Sequence, residues 1–122
     1  MAFTVKETYH AAVIDITGKF FGSLEGEAFN ARIDALKTAG QTRVVIDLAR
    51  ADLLDSTAIG LLLAGLTTMR REGGDIRLAN MKKRVKNLFL MTRLLGNVFN
   101  TYDSLEEALA SFQQQPLVAA EA

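Results

Sequence analysis

Apolar residues in this chain change period several times, and each change marks an element. From Phe3 to Tyr9 the alternation is twofold, with Phe3 and Val5 on one side and Thr4 and Lys6 on the other, as in a half-buried strand. Ala12, Ile14 and Ile16 share a face in the next run, Asp15 points away, and Gly18 closes it. These two segments are expected to pair as a hairpin. Between Gly22 and Gly40 the step lengthens: Phe29, Ile33 and Leu36 recur at intervals of four and three, on one side of a helix that Gly40 terminates. Val44, Val45 and Ile46 are consecutive rather than alternating, which suits a strand covered on both faces and predicts the sheet centre.

After Leu48 a polar connection, Ala49 to Asp52, is expected to lead through Leu53 and Leu54 into Asp55, Ser56 and Thr57, residue types that favour helix starts. Ile59, Leu62, Leu63, Leu66 and Met69 then keep helical spacing up to Arg70, Arg71 and the Gly73-Gly74 pair, as helix ends prefer. A strand from Asp75 to Ala79 follows, then a helix from about Lys82 to Met91 with Val85, Leu88 and Phe89 inward, then a short strand around Val98 and Phe99. The last helix opens at Ser104 with Glu107 three residues on, a capping-box spacing, and carries Leu105, Ala108, Leu109 and Phe112 as its stripe. The order β, β, α, β, α, β, α, β, α predicts one α/β domain over residues 1–112. Its mixed sheet of about five strands has an antiparallel start and parallel crossovers, packed with about four helices. Residues 113–122, with the lone Pro116, read as a flexible tail.

Composition narrows the chemistry. With 49% hydrophobic and 23% charged residues, 122 residues make one globular core, and 14 basic residues balance 14 acidic ones. No overall field draws the molecule to nucleic acid or to an anionic membrane. Cysteine is absent, which excludes disulfides, thiolate nucleophiles and sulfur-rich zinc sites, and His10 is the only histidine. Neither a metal nor a cofactor is expected. The longest apolar run, Ala58 to Leu66, falls far short of the roughly 18 residues of a membrane span, and the first ten residues lack the features of a signal peptide. The simplest expectation is a cytoplasmic protein.

Ser56 with Asp55, Asp47 and His10 offers the residue types of a hydrolase triad, but the nucleophile elbow G-x-S-x-G is missing and His10 falls in the hairpin turn. The glycines fit neither phosphate-binding loop pattern. Lys82, Lys83, Arg84 and Lys86 form a basic cluster that could touch a phosphate or an acidic partner, but a solvated helix face is the plainer reading. Adjacent Phe20 and Phe21 lie just past the second strand, where one can face the core and the other solvent. The hydroxyls at the start of the central helix stand out. The first amides of a helix lack intrahelical partners and its dipole favours negative charge, so a phosphate on Ser56 or Thr57 would be tolerated by the fold. Taken by itself, the position better suits a hydroxyl that merely caps the helix, because such caps are common.

Several stretches resemble the STAS domain, and within it the bacterial anti-sigma factor antagonists. They are Val44-Val45-Ile46-Asp47-Leu48 through Leu53-Leu54-Asp55-Ser56-Thr57-Ala58-Ile59-Gly60, then Gly73-Gly74-Asp75-Ile76-Arg77-Leu78, then Val85 to Leu95 followed by Phe99 and Ser104-Leu105-Glu106-Glu107-Ala108-Leu109. The resemblance implies a partner-switching regulator without catalytic activity of its own. Unphosphorylated, such a protein binds an anti-sigma factor that is also a serine kinase of the histidine-kinase-like ATPase class. Phosphorylation of the serine matching Ser56 ends binding, and a metal-dependent serine/threonine phosphatase reverses the mark; Thr57 is the second choice. ATP and metal belong to those partners. Partner contact is expected from Asp55, Ser56, Thr57 and Ala58. It is also expected from Phe20 and Phe21, in a loop where the family carries polar, acidic residues. The alternative is a STAS scaffold or small-ligand-sensing module in which Ser56 is only a cap.

Overall fold

The changes of period translate into alternating strands and helices. A computed structural model describes residues 2–94 and 98–113. The elements are β1 (Phe3–Glu7), β2 (Ala12–Phe20), α1 (Gly22–Thr38), β3 (Arg43–Leu54), α2 (Ser56–Arg71), β4 (Asp75–Ala79), α3 (Lys83–Met91), β5 (Thr101–Tyr102) and α4 (Leu105–Gln113). They build one five-stranded sheet in the order β1-β2-β3-β4-β5. β1 pairs antiparallel with β2, with Val5 opposite Ile14, and every later pairing is parallel. The mixed sheet and the four helices among the described residues match the expected class. Residues 114–122, expected as a tail, and Leu95 lie outside the described residues.

Topology follows from handedness. Three successive right-handed crossovers between neighbouring parallel strands leave α1, α2 and α3 on the same face. There Phe29, Ile33 and Leu36 of α1, Leu62 and Leu66 of α2, and Val85 and Phe89 of α3 cover Ile14, Val44, Ile46, Ile76 and Leu78. Among the described residues α4 alone of the helices reaches the other face, where Ala108 and Phe112 pack on Val45 and Ala79. β3 is therefore apolar on both sides, which is why Val44, Val45 and Ile46 run together. Phe3, Phe20 and Phe29 meet edge to face with centroids 5.6–6.1 Å apart and close the core beside β2.

Two expectations are corrected. Ala49 to Asp52 is not a connection but part of β3, which continues beside the second half of β2 through register shifts, with Thr17 opposite Arg50 and Phe20 opposite Leu54. Ala51 is fully buried within that polar stretch, so the ladder persists where hydropathy falls. The last strand lies at Thr101–Tyr102 rather than at Val98 and Phe99. Phe99 instead fills the core against Phe89, with centroids 5.8 Å apart, while the backbone from Asn100 onward pairs with β4.

Helix ends follow the expected chemistry. Gly40 has φ +80°, its amide bonds the Lys37 carbonyl at 3.0 Å, and the Gln41 amide bonds that of Leu36 at 2.8 Å, the paired bonds of a Schellman stop. At α4 the Ser104 hydroxyl accepts from the Glu107 amide at 3.1 Å, while the Glu107 carboxylate reaches the Asp103 amide at 3.3 Å.

Candidate functional site at the start of the central helix

β3 is longer than its neighbour β4, so its end runs past β4, still paired with β2 up to Leu54, before α2 begins. The turn is made by Asp55, extended at φ −92° and ψ 175°, whose side chain is the N-cap of α2. Its Oδ1 accepts from the Ala58 amide at 2.8 Å and from the Gly22 amide at 3.0 Å. A single carboxylate oxygen thus satisfies one orphan donor at the start of α2 and another at the start of α1. α1 has no side-chain cap of its own at Phe21, so Asp55 serves both helices.

With the cap supplied by Asp55, the hydroxyls that follow are spared that duty. Ser56 and Thr57 are both exposed, and neither hydroxyl makes a hydrogen bond within the described residues. The two differ in what surrounds them. Thr57 lies against the first residue of α1: a Cβ placed on Gly22 would sit 2.5 Å from Thr57 Cγ2 and 2.6 Å from its carbonyl carbon. Ser56 stands at the first helical position, beside the positive end of the α2 dipole.

Other residues of the expected partner surface are distributed unevenly. Phe20 and Ala58 are fully buried and present no side chain to a partner, which corrects their assignment. Alternation at the end of β2 turns Phe20 into the core with Phe3 and Phe29, and Ala58 lies on the inward side of α2. Phe21 is half-buried at the start of α1. Leu24, one turn along the same helix, is 76% exposed and escapes the sequence reading because it lies off the Phe29, Ile33, Leu36 stripe.

The triad residues are not assembled. His10 sits in the β1–β2 turn with Nε2 2.7 Å from Gln113 Nε2, at the end of the sheet where β2 begins, whereas Ser56 follows the opposite end of β3. Asp47 faces the α4 side, accepting from the Ala49 amide at 3.0 Å and from Asn80 Nδ2 at 3.1 Å. Among the described residues no cluster of three or more histidines and carboxylates could hold a metal ion, and no helix is long and apolar enough to cross a membrane.

The basic cluster lies beside the site. Lys82, the residue before α3, has Nζ 2.6 Å from Asp52 Oδ1. The hydrogen bond from Lys82 and its charge, with a further contribution from Arg84, hold the Asp52 carboxyl below its ordinary pKa. A depressed carboxyl keeps its charge until pH falls through the folded value, so on the acid side this bridge is released by protonation of Asp52. Both partners are exposed, and the bridge acts as a local tether rather than a source of stability.

The fold and this helix start define the class. Residues 2–108 match the STAS domain family model, and the chain belongs to that family, in its anti-sigma factor antagonist branch. It is 30% identical over 91 residues to BtrV of Bordetella bronchiseptica, a relative named as an anti-sigma factor antagonist, covering 75% of this chain and 78% of that one. The structure named as an anti-sigma factor antagonist from Thermotoga maritima superposes with a TM-score of 0.82 at 17% identity, over 91% of this chain and 94% of the other. Unphosphorylated SpoIIAA superposes with a TM-score of 0.73 at 20% identity, over 94% and 100% of the two chains. Its phosphorylated form, described as a Bacillus cell fate determinant, gives 0.70 at 22%, over 90% and 98%.

Proposed function

We propose that this chain is a partner-switching anti-sigma factor antagonist. Unphosphorylated, it binds an anti-sigma factor that doubles as a serine kinase of the histidine-kinase-like ATPase class. Phosphorylation of Ser56 ends that binding, and a serine/threonine phosphatase restores it. The chain itself catalyses nothing. The observation that carries this reading is that Ser56 is exposed and unengaged at the first turn of α2 while Asp55 does the capping. The scaffold alternative, with Ser56 as the cap, lacks that support. Family membership and the solved SpoIIAA forms, one titled unphosphorylated and one phosphorylated, support it further.

The chemistry of the switch is local. A phosphate on Ser56 adds a charge of about −1.5 to −2 and sits at a helix N-terminus, where amides and dipole tolerate an anion. The fold has no reason to give way. A partner surface matched to a neutral hydroxyl must instead bury an unmatched dianion beside Asp55 and Asp52. A penalty of about 3 to 4 kcal/mol weakens association a few hundred-fold or more. Thr57 is the poorer acceptor, because its side chain is packed on Gly22.

Incubation with candidate kinases of the ATPase class from the same genome tests the assignment by intact mass and fragment mapping. One added phosphate on Ser56, lost in Ser56→Ala, is the expected result. Phosphate on another residue, or none with any of them, contradicts it.

A further inference from the structure

Beside the Ser56 turn, a cleft of about 200 Å³ opens between the end of β3 and α3. Its walls are apolar: Leu53 and Leu54 from the strand, and Val85, Leu88 and Met91 from the helix. Met91 is 81% exposed and the adjacent Leu90 is 54% exposed, so the last turn of α3 presents two neighbouring apolar side chains to solvent. Neither has an evident role within the domain, whose core on this helix is made by Val85 and Phe89. The polar residues lining the cleft are Arg84 and Asn87, both exposed.

Basic side chains outnumber acidic ones around the cleft: Lys82, Lys83, Arg84 and Lys86 stand at and in α3, against Asp52 and Asp55 beside Leu53 and Leu54. α3 contains no acidic residue, and of its basic residues Lys83, Arg84 and Lys86 form no ion pair among the described residues. Asp52 pairs with Lys82 and also feels the charge of Arg84. The chain as a whole is neutral, so this is a local positive surface around an apolar recess.

We propose that this cleft is a docking pocket for one large apolar side chain carried on an acidic segment of the protein partner. The inference rests on the partner-switching reading and specifies the chemistry of the partner. An apolar recess is filled by a side chain buried at the centre of an interface, while the surrounding cations steer and orient a carboxylate-rich segment. A phosphate-backbone ligand would use the cations and leave the recess empty. The pocket also explains how one modification reaches the whole interface. Leu53 and Leu54 line it, and Ser56 follows two residues later, so a dianion on Ser56 stands beside the carboxylates of an acidic occupant. Attraction from α3 and repulsion from the modified serine then oppose each other on the same segment.

Two blocked hexapeptides with the same apolar centre, Asp-Glu-Leu-Phe-Glu-Asp and Lys-Arg-Leu-Phe-Arg-Lys, test this by amide chemical-shift titration of the full chain at millimolar concentration. The acidic peptide is expected to shift amides at 53–56 and 83–91, and the basic one to leave them in place. Met91→Glu, at an exposed position that does not support the core, should weaken the acidic peptide by about tenfold or more. The double variant Lys83→Glu, Arg84→Glu should transfer the preference to the basic peptide. Equal shifts from both peptides, shifts confined to another surface, no shifts at all, or occupation by octanoate but by neither peptide would each overturn the proposal. The phosphate assay on Ser56 is independent. Phosphorylation there with no docking of the acidic peptide removes the pocket alone, and docking in a chain that no kinase modifies removes the switch alone.

Discussion

Asp55 is the residue on which the site turns. Its one oxygen bonds the Gly22 and Ala58 amides, joining two helix starts that would otherwise leave donors unpaired. Asp55→Ala removes both bonds and is expected to destabilise the fold by about 1 to 3 kcal/mol, read as a lower midpoint in urea with an unchanged slope. Asp55→Asn, which keeps an acceptor oxygen, should recover most of the loss. If the alanine variant were as stable as the parent, the carboxylate would not be the shared cap. The run Asp55-Ser56-Thr57 announced a helix start, but all three residue types cap well, and which one does so depends on where α1 begins. That approach involves residues 33 positions apart in the chain and leaves no trace in local pattern.

At the scale of elements, the approach of α1 to α2 requires Gly22. A methyl group there would overlap Thr57, including its backbone carbonyl carbon at 2.6 Å, so trimming the threonine cannot make room. Gly22→Ala should therefore cost about 1 to 3 kcal/mol and lengthen the Gly22–Asp55 contact. Thermal unfolding checks the first effect, and the amide chemical shift at position 22, expected downfield in the parent and moved upfield in the variant, checks the second. A variant as stable as the parent would mean that the helix starts are not in close contact. The helices themselves were legible because their apolar stripes are regular: Phe29, Ile33 and Leu36 in α1, and Ile59, Leu62, Leu66 and Met69 in α2, are all buried. The second half of β3 was not, because Ala49 to Asp52 is polar and the ladder there is held by β2 through register shifts. The β5 misplacement has the same origin, since Val98 and Phe99 supply apolar mass while the pairing backbone lies just beyond them.

For the whole molecule, the division of labour between the two faces of the sheet would let the fold keep its shape if a charge were added at Ser56. Three helices close one face and α4 closes part of the other. A buried network locks α4 to the sheet: Arg77 bonds Asp75 at 3.0 Å and Ser111 at 2.8 Å and stacks on Phe112, with its guanidinium carbon 4.1 Å from the ring centroid. None of this lies near Ser56, which sits at the far end of β3 on a turn fixed by Asp55. The alternation of elements and the central place of Val44 to Ile46 were readable from hydrophobic period alone, and the candidate position only through the resemblance of the Asp55-Ser56 segment to its family. The exposed Leu24, Leu90 and Met91 were not readable, because an apolar residue off the core stripe looks like any other until the surface is assembled.

The most direct test is a calorimetric titration of the cognate anti-sigma factor with two preparations of this chain, one unmodified and one carrying phosphate on Ser56, each confirmed as folded by its amide spectrum. We predict tight binding by the first and a loss of a few hundred-fold or more for the second, with the spectra superimposable away from residues 52–60. Equal affinity in the two titrations would contradict the account, and so would a weakened complex accompanied by loss of the folded spectrum.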